Sequence, residues 1–441
     1  MNNINEMVKN AKEALKVMHD FTQEKVDKIT KAMVDAGYNN SELLAKEAFE
    51  ETGRGVETDK ATKNKFATEN VWNSIKNNKT VGIINDDKEQ GLTEIAEPMG
   101  VIAGIVPVTN PTSTTMFKAI LAMKTRNSII FSFHPQANQS SIKAAQIMQD
   151  AAVKAGAPKD SIQWIEKPSI DATNDLINND GVDITLATGG PGLVSSAYSS
   201  GKPALGVGPG NGPVYIEKTA DLDQAVKDLV FSKTFDNGMI CSTENSAVID
   251  DSIYQEIVEK LKNNHVYFVP EDEKEKVTKA MFDDQRLSVK GPIAGASAQK
   301  IADLAEIEIP TGTKVLAIEM NGIGAKYPMS GEKLCPVISV YRASSKEDAF
   351  DKVNQLLNYG GLGHTAAIQT KDDDVVTEYG MKEPATRIIV NAPSGLGGVG
   401  DLYNNLKPSL TLGTGTWGKN SFSHNLSDSD LLNIKIIARR K

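Results

Sequence analysis

The chain predicts an α/β fold built on a doubly wound, mostly parallel sheet, and three observations carry that prediction. From Val101 to Ser199, short apolar runs alternate with helix-spaced segments, the rhythm of successive strand–helix units. The first run, Val101-Ile-Ala-Gly-Ile-Val106, is apolar without interruption, as a strand buried on both faces is. Polar turns rich in glycine and proline follow such runs, Thr109-Asn-Pro111 and Thr188-Gly-Gly-Pro-Gly192. They stand at the carboxyl ends of strands, where open sheets hold ligands. A second α/β pattern begins after Cys241.

A length of 441 residues leaves room for two or three domains. The net charge of −9 argues against a nucleic acid or an anionic membrane as partner. Two cysteines in so long a chain make no disulfide framework and suit a reducing cytosol. The opening residues Met1 to Met7 lack a basic flank followed by an apolar run, so no signal peptide is expected. No run of about 18 apolar residues occurs, so no membrane span is expected either. A cytoplasmic location follows as the expectation.

In chain order, Met7, Ala11, Leu15, Met18, Phe21, Val26, Ile29 and Met33 recur at helical spacing, giving one or two amphipathic helices over 4–36. Further helices are predicted from Ser41 to Thr52 and, more polar, from Lys60 to Lys76. Residues 81–84 and 93–98 read as two strands around the turn 85–91, either a surface hairpin or an oligomerisation arm. Strands at 101–106, 127–133, 161–165 and 183–187 then alternate with helices at 112 onward, 140–155, 170–178 and 193–199. Glycines thicken at Gly201, Gly206, Gly208, Gly210 and Gly212, where backbone can approach a ligand closely. A helix over 221–235 leads to the polar turn Thr234-Phe-Asp-Asn-Gly-Met-Ile-Cys241. Beyond it, strands at 246–249, 314–319, 337–342, 367–370 and 387–391 are expected, with helices at 254–263, 273–282, 298–305 and 346–358. The domain change is placed near 237–241. Gly395-Leu-Gly-Gly-Val-Gly400 spells G-x-G-x-x-G, but no βαβ unit surrounds it, so it reads as a ligand-lining loop and not a dinucleotide fingerprint.

Cys241, among polar turn residues, is the candidate nucleophile, whereas Cys335 reads as a small buried hydrophobe. Of five histidines, His19, His265 and His424 read as structural or solvated. His134 stands at a strand end, and His364 sits in a glycine-rich turn, the best candidate for a general base or acid. Glu332, on a loop entering a strand, is a solvated glutamate or an acceptor for ribose hydroxyls. No metal-ligand spacing is found, and no metal is expected.

Several motifs together resemble the aldehyde dehydrogenase superfamily. They are Gly104-Ile-Val-Pro-Val-Thr-Asn-Pro-Thr-Ser-Thr, Leu186-Ala-Thr-Gly-Gly-Pro-Gly, Tyr198-Ser-Ser-Gly-Lys-Pro-Ala, Lys233-Thr-Phe-Asp-Asn-Gly-Met-Ile-Cys, Gly363-His-Thr and Pro408-Ser-Leu-Thr-Leu-Gly-Thr-Gly-Thr-Trp-Gly. The likeness covers nearly the whole chain. It is nearer to the CoA-acylating branch, as found in the N-terminal half of bifunctional aldehyde-alcohol dehydrogenases.

The resemblance implies a Rossmann-like cofactor domain over 1–238, with an oligomerisation hairpin at about 80–97. A catalytic domain over 239–405 would carry Cys241, and 406–441 would return to the cofactor domain and run toward a linker. It implies Cys241 as nucleophile, with Asn110 and the Cys241 backbone N–H stabilising the oxyanion. NAD would take the hydride and CoA the acyl group; in fermentation the net direction is acetyl-CoA plus NADH to acetaldehyde, CoA and NAD. Ile105, Val106, Pro107, Val108, Thr109, Asn110, Gly190 and Gly208 would line the cofactor crevice, Glu332 would hold the nicotinamide ribose, and Leu412 would close over the cofactor. His364 would assist CoA attack. His134-Pro stands where many members have Lys-Pro, a contact to the adenine ribose, and NAD is expected over NADP.

Hydrolytic members carry Glu-Leu-Gly-Gly before the cysteine; here Gly206-Val-Gly-Pro-Gly-Asn211 has no carboxylate to activate water, which favours CoA as acceptor. The alternatives are a hydrolytic enzyme and a non-catalytic assembly module. Full-length relatives form homo-oligomeric filaments, spirosomes, and the hairpin and tail would be their pairing elements by analogy.

Overall fold

The structure, a computed structural model, describes residues 3–283 and 288–441; the first two residues of the opening stretch and of the expected 1–238 domain lie outside it. The chain enters through helices. α1 (Ile4–His19) is capped by the Asn3 side chain, and α2 (Gln23–Asn39) by Thr22. α3 (Ser41–Thr52) follows. α4 (Glu57–Lys65) runs through a π turn at 66–70 into α5 (Val71–Ile75). β1 (Gly82–Asp87) and β2 (Leu92–Pro98) form an antiparallel hairpin.

Parallel strand–helix units come next: β3 (Val101–Val106), α6 (Pro111–Lys124), β4 (Ser128–Phe133), α7 (Asn138–Lys154), β5 (Ile162–Trp164), α8 (Ile170–Asn178), β6 (Ile184–Thr188), α9 (Pro191–Ser199) and β7 (Ala204–Val207). The strands lie in the order β5-β4-β3-β6-β7. The uninterrupted apolar sequence of β3 is explained by burial on both faces: every residue of β3, and of its neighbour β4, is buried. α6 is buried along its whole length, and its Met116, Phe117 and Ile120 pack in one core with Ile29 and Met33 of α2.

A second sheet of seven parallel strands takes β8 (Gly212–Ile216), α10 (Leu222–Thr234), β9 (Glu244–Asp250), α11 (Asp251–Asn263), β10 (Val266–Phe268), α12 (Lys274–Met281), α13 (Ala298–Ala305), β11 (Val315–Glu319), β12 (Val337–Ala343), α14 (Lys346–Leu356), β13 (Gly363–Gln369), α15 (Asp373–Lys382), β14 (Ala385–Val390) and α16 (Ser394–Val399). β8 pairs with β9 and β13, so the chain crosses between sheets at residues 208–211, upstream of the 237–241 read from sequence. Gly208-Pro-Gly-Asn211 makes that crossing, tied by Asn211 Nδ2 to the carbonyls of Ser330 (2.8 Å) and Leu356 (3.0 Å). The tail returns to the first half: Phe422, Leu426 and Leu431 join the core around α6. β15 (Leu432–Ala438) then pairs antiparallel with β2, so hairpin and tail form one three-stranded sheet within the chain. Ile434, Ile436 and Ile437 stand exposed on it. No helix among the described residues is long and apolar enough to cross a membrane.

Candidate active site

The order β5-β4-β3-β6-β7 reverses direction between β3 and β6, and such a switch point opens a crevice at the strands' carboxyl ends. A cleft of about 1020 Å³ lies there. Ile105 to Asn110, His134, Gly190, Gly208, Cys241, Glu332 and Leu412 all line it. The helices that open onto it, α6 and α9, both begin with proline at the first turn, after Asn110 and Gly190 as caps. First-turn amides at a helix N-terminus are unpaired and favour anionic groups. A Cβ on Gly190, Gly192 or Gly208 would meet no heavy atom within 4 Å, so these glycines face open space. Backbone donors beside an open glycine cradle fit the diphosphate of a dinucleotide.

The cysteine turn needs an unusual backbone. Asp236, Asn237 and Gly238 have φ of 45°, 52° and 69°, three left-handed residues in a row. Tertiary bonds hold them. Asp236 N–H donates to Asp59 Oδ2 (2.8 Å), Val56 N–H donates to Asp236 Oδ1 (2.8 Å), and Asn237 Nδ2 donates to the Gly295 carbonyl (2.9 Å). The turn delivers Cys241 half-buried at the cleft. Burial, with Glu332 adding to it, pushes the thiol up to about 12, against the pull of Arg387 and of the Cys241 and Ser242 amides. A group so placed reacts through a thiolate fraction that grows with pH. Alkylation of Cys241 by iodoacetamide, in a Cys335→Ala background, is therefore expected to climb about tenfold per pH unit from 7 to 10. A plateau below pH 9 would contradict the assigned environment.

Asn110 is oriented from behind. Its Oδ1 accepts from Lys63 Nζ (2.6 Å), and its Nδ2 reaches Thr109 Oγ1 (3.2 Å), so the amide presents its NH2 end away from the lysine. Lys63 is also ion-paired to Asp236, and Lys60 Nζ lies 3.4 Å from the same carboxylate oxygen. Both lysines and Asp236 are buried. Burial and Lys63 lower Lys60 to about 8, against Asp236. One buried charge network thus joins α4, the oxyanion-donor candidate and the cysteine turn. Sequence reading missed it. The available signal was α4 itself, a helix with no apolar stripe that still had to pack.

Glu332 is the one carboxylate among the described residues that line the cleft. Its Oε1 accepts from Gly210 N–H (2.9 Å), and burial pushes it up to about 7. Gly210 is the position of close approach: a Cβ there would collide with the Cys241 carbonyl. His364 is placed differently from the other candidates. It does not line the cleft; it is fully buried behind Gly210, with its ring Cδ2 facing that residue. Burial and Arg387 hold it well below the usual histidine range, so the ring is neutral.

The G-x-G-x-x-G stretch is not a ligand-lining loop. It forms the short buried helix α16, whose Gly395 and Gly398 let the backbone seat on Thr243 and Ser242 beside the cysteine turn. Ser394 Oγ donates to the Ser242 carbonyl (2.8 Å), and Ser242 Oγ to that of Gly395 (2.9 Å). Cys335 is fully buried among apolar side chains. His134 accepts Gln136 N–H at Nδ1 (3.2 Å) and is lowered by burial and by Arg54.

Comparison with known proteins agrees with this arrangement. Residues 1–399 match the aldehyde dehydrogenase family. An aldehyde-alcohol dehydrogenase of Streptococcus pneumoniae is 50% identical over 405 residues, covering 90% of this chain and 46% of the relative. The chain thus spans about half the length of that protein. The crystal structure of an acetylating aldehyde dehydrogenase from Geobacillus thermoglucosidasius superposes with a TM-score of 0.97 at 46% identity, covering 99% of this chain and 96% of that one. A Rhodopseudomonas palustris propionaldehyde dehydrogenase with bound propionyl-CoA superposes at 0.87 with 26% identity, covering 99% and 94%. Matched over most of its sequence and nearly all of its fold, the chain belongs to the aldehyde dehydrogenase family.

Proposed function

We propose that the chain is a CoA-acylating aldehyde dehydrogenase that interconverts acetaldehyde, CoA and NAD with acetyl-CoA and NADH. The observation that carries the reading is the company Cys241 keeps. It shares a cleft with a glycine-lined diphosphate cradle and an oriented asparagine amide, while the segment 206–211 beside it bears no carboxylate. Cys241 attacks the aldehyde carbonyl, and the Asn110 Nδ2 and Cys241 N–H groups hold the developing oxyanion. A bound nicotinamide dinucleotide supplies the hydride acceptor. Glu332 holds its ribose hydroxyls, the 105–110 and 189–192 turns hold its phosphates, and Leu412 covers the cleft. Neutral His134 offers no cation to an added phosphate, which favours NAD over NADP. The acyl group then sits on Cys241 as a thioester, and a thiol competes well there because it is a better nucleophile than water and the 206–211 segment offers water no carboxylate base. The same reading makes the β1-β2-β15 sheet, with its exposed isoleucines, the surface through which copies associate into filaments.

NADH formation from acetaldehyde and NAD, followed by absorbance with and without CoA, tests the activity. Sustained turnover is expected only with CoA, and at most one NADH per Cys241 without it. Steady turnover without CoA would make the enzyme hydrolytic. No NADH under either condition would leave the assembly-module reading.

A further inference from the structure

The end of the cleft away from the thiol is lined by Ser132 to Gln136, at and beyond the end of β4. In the strand order β4 stands three places from β7, whose continuation brings Gly210 against the Cys241 carbonyl. At ordinary strand spacing that is roughly 14 Å, room for a diphosphate between the reacting sulfur and an adenosine at His134. Gln136 there is bonded to a cation. Arg54, half-buried between α3 and α4, donates from Nη2 to Gln136 Oε1 (3.0 Å). Its Nη1 is anchored from behind by the carbonyls of Gly291 (2.7 Å) and Ala294 (2.9 Å). Contacts from both halves of the chain thus fix the guanidinium at the rim.

This cation has no counter-charge among the described residues. Burial lowers it, and no carboxylate pulls the other way. Glu51, three residues before it, is spent on the Gln139 and Ser140 amides at the start of α7 (2.8 Å each). Asp236 is spent on Lys60 and Lys63. Of the five N–H groups of Arg54, two meet carbonyls and one meets Gln136. Nε–H and one Nη2–H keep no partner among the described residues. His134 beside it is lowered by burial and then by Arg54 itself, so the ring stays neutral and brings no charge of its own. A guanidinium held in place with two donors to give is suited to a phosphate.

We propose that Arg54 binds a phosphate on the adenosine ribose of the ligand in this cleft, and that the ligand is CoA, whose ribose carries one at the 3′ position. The assignment to CoA rests on the acylating activity proposed above; the phosphate site does not. NAD has a bare ribose and makes no use of the charge. Arg54 therefore adds affinity for one of the two adenosine-bearing reactants and none for the other. It also supplies the cation that neutral His134 lacks. NADP, with its phosphate on the neighbouring 2′ hydroxyl, is the other source of the same chemistry. The rim is open to water, so the contact is worth about tenfold in affinity, less than a buried charge pair.

Isothermal titration calorimetry on the full chain tests the site without turnover. Adenosine 3′,5′-bisphosphate is expected to bind the wild type about tenfold more tightly than adenosine 5′-monophosphate. Arg54→Met is expected to bind the two alike, and Arg54→Lys, which keeps the charge but not the fork, to retain part of the difference. Equal binding of the two nucleotides by the wild type overturns the inference, and so does a difference that survives in Arg54→Met. Tighter binding of adenosine 2′,5′-bisphosphate than of the 3′,5′ isomer gives the site to NADP and overturns the assignment to CoA. Steady-state kinetics then compare CoA with dephospho-CoA, which lacks only that phosphate. The KM is expected to be about tenfold lower for CoA in the wild type and the same for both in Arg54→Met. Equal KM values in the wild type overturn the role toward CoA. A chain that binds the 3′,5′-bisphosphate through Arg54 but shows no CoA-dependent turnover would overturn the acylating reading and leave the phosphate site standing.

Discussion

Cys241→Ala is expected to lower turnover by about 10⁴-fold or more while leaving NADH binding within a few-fold of wild type. The two effects separate because the thiol and the dinucleotide cradle come from different parts of the chain. The sulfur is delivered by the left-handed turn that follows α10, whereas the open glycines and helix N-termini belong to the first sheet. In the proposed reaction, removing this sulfur takes away the group that would hold the acyl intermediate and leaves the glycine cradle of the first sheet untouched. Steady-state NADH formation and a fluorescence titration with NADH check the two halves. More than about one per cent residual turnover would mean that another group is the nucleophile.

Asp236→Ala is expected to destabilise the fold by about 3–5 kcal/mol, the range for removing one partner of a buried ion pair. Asp236 is fully buried and faces both Lys60 and Lys63. Its loss leaves two buried ammonium groups without a counter-charge and takes from Val56 N–H its acceptor. It also loosens three consecutive left-handed residues and the lysine that orients Asn110. Urea denaturation measures the stability, and kcat is expected to fall even where the variant is fully folded. Combining Asp236→Leu with Lys60→Met and Lys63→Met should recover stability but not kcat, since apolar replacement of a buried network removes the unpaired charges without restoring the Asn110 contact. A single-variant loss below about 1 kcal/mol would show that the network is solvated.

The correspondence between sequence and structure is closest where the determinants are local. The strand at 101–106, the helix at 170–178 and the helix at 298–305 stand where their periodicity places them. The turns after β3 and β6 line the cleft because they flank the switch point of the strand order. Where the sequence reading diverged, the competing influence was non-local. The strand at 212–216 reads locally as a continuation of the first half, yet its hydrogen-bond partners lie at 244–249 and 367–369, so it joins the second sheet. The G-x-G-x-x-G spacing has its ligand meaning only within a βαβ unit; here the same glycines admit a helix against Ser242 and Thr243.

By itself the sequence determined the α/β class, a second α/β pattern after Cys241 and the candidate thiol, because alternation and glycine turns are properties of neighbouring residues; the other cleft residues came from the family resemblance. The tertiary structure alone decided which polar groups are buried together. Lys63 and Asp236 are 173 residues apart, and Arg387 lies 22 from Thr365 on an adjacent strand. Whether a lysine is solvated or ion-paired depends on partners that only folding brings within hydrogen-bond distance, in surroundings where water can no longer substitute for them.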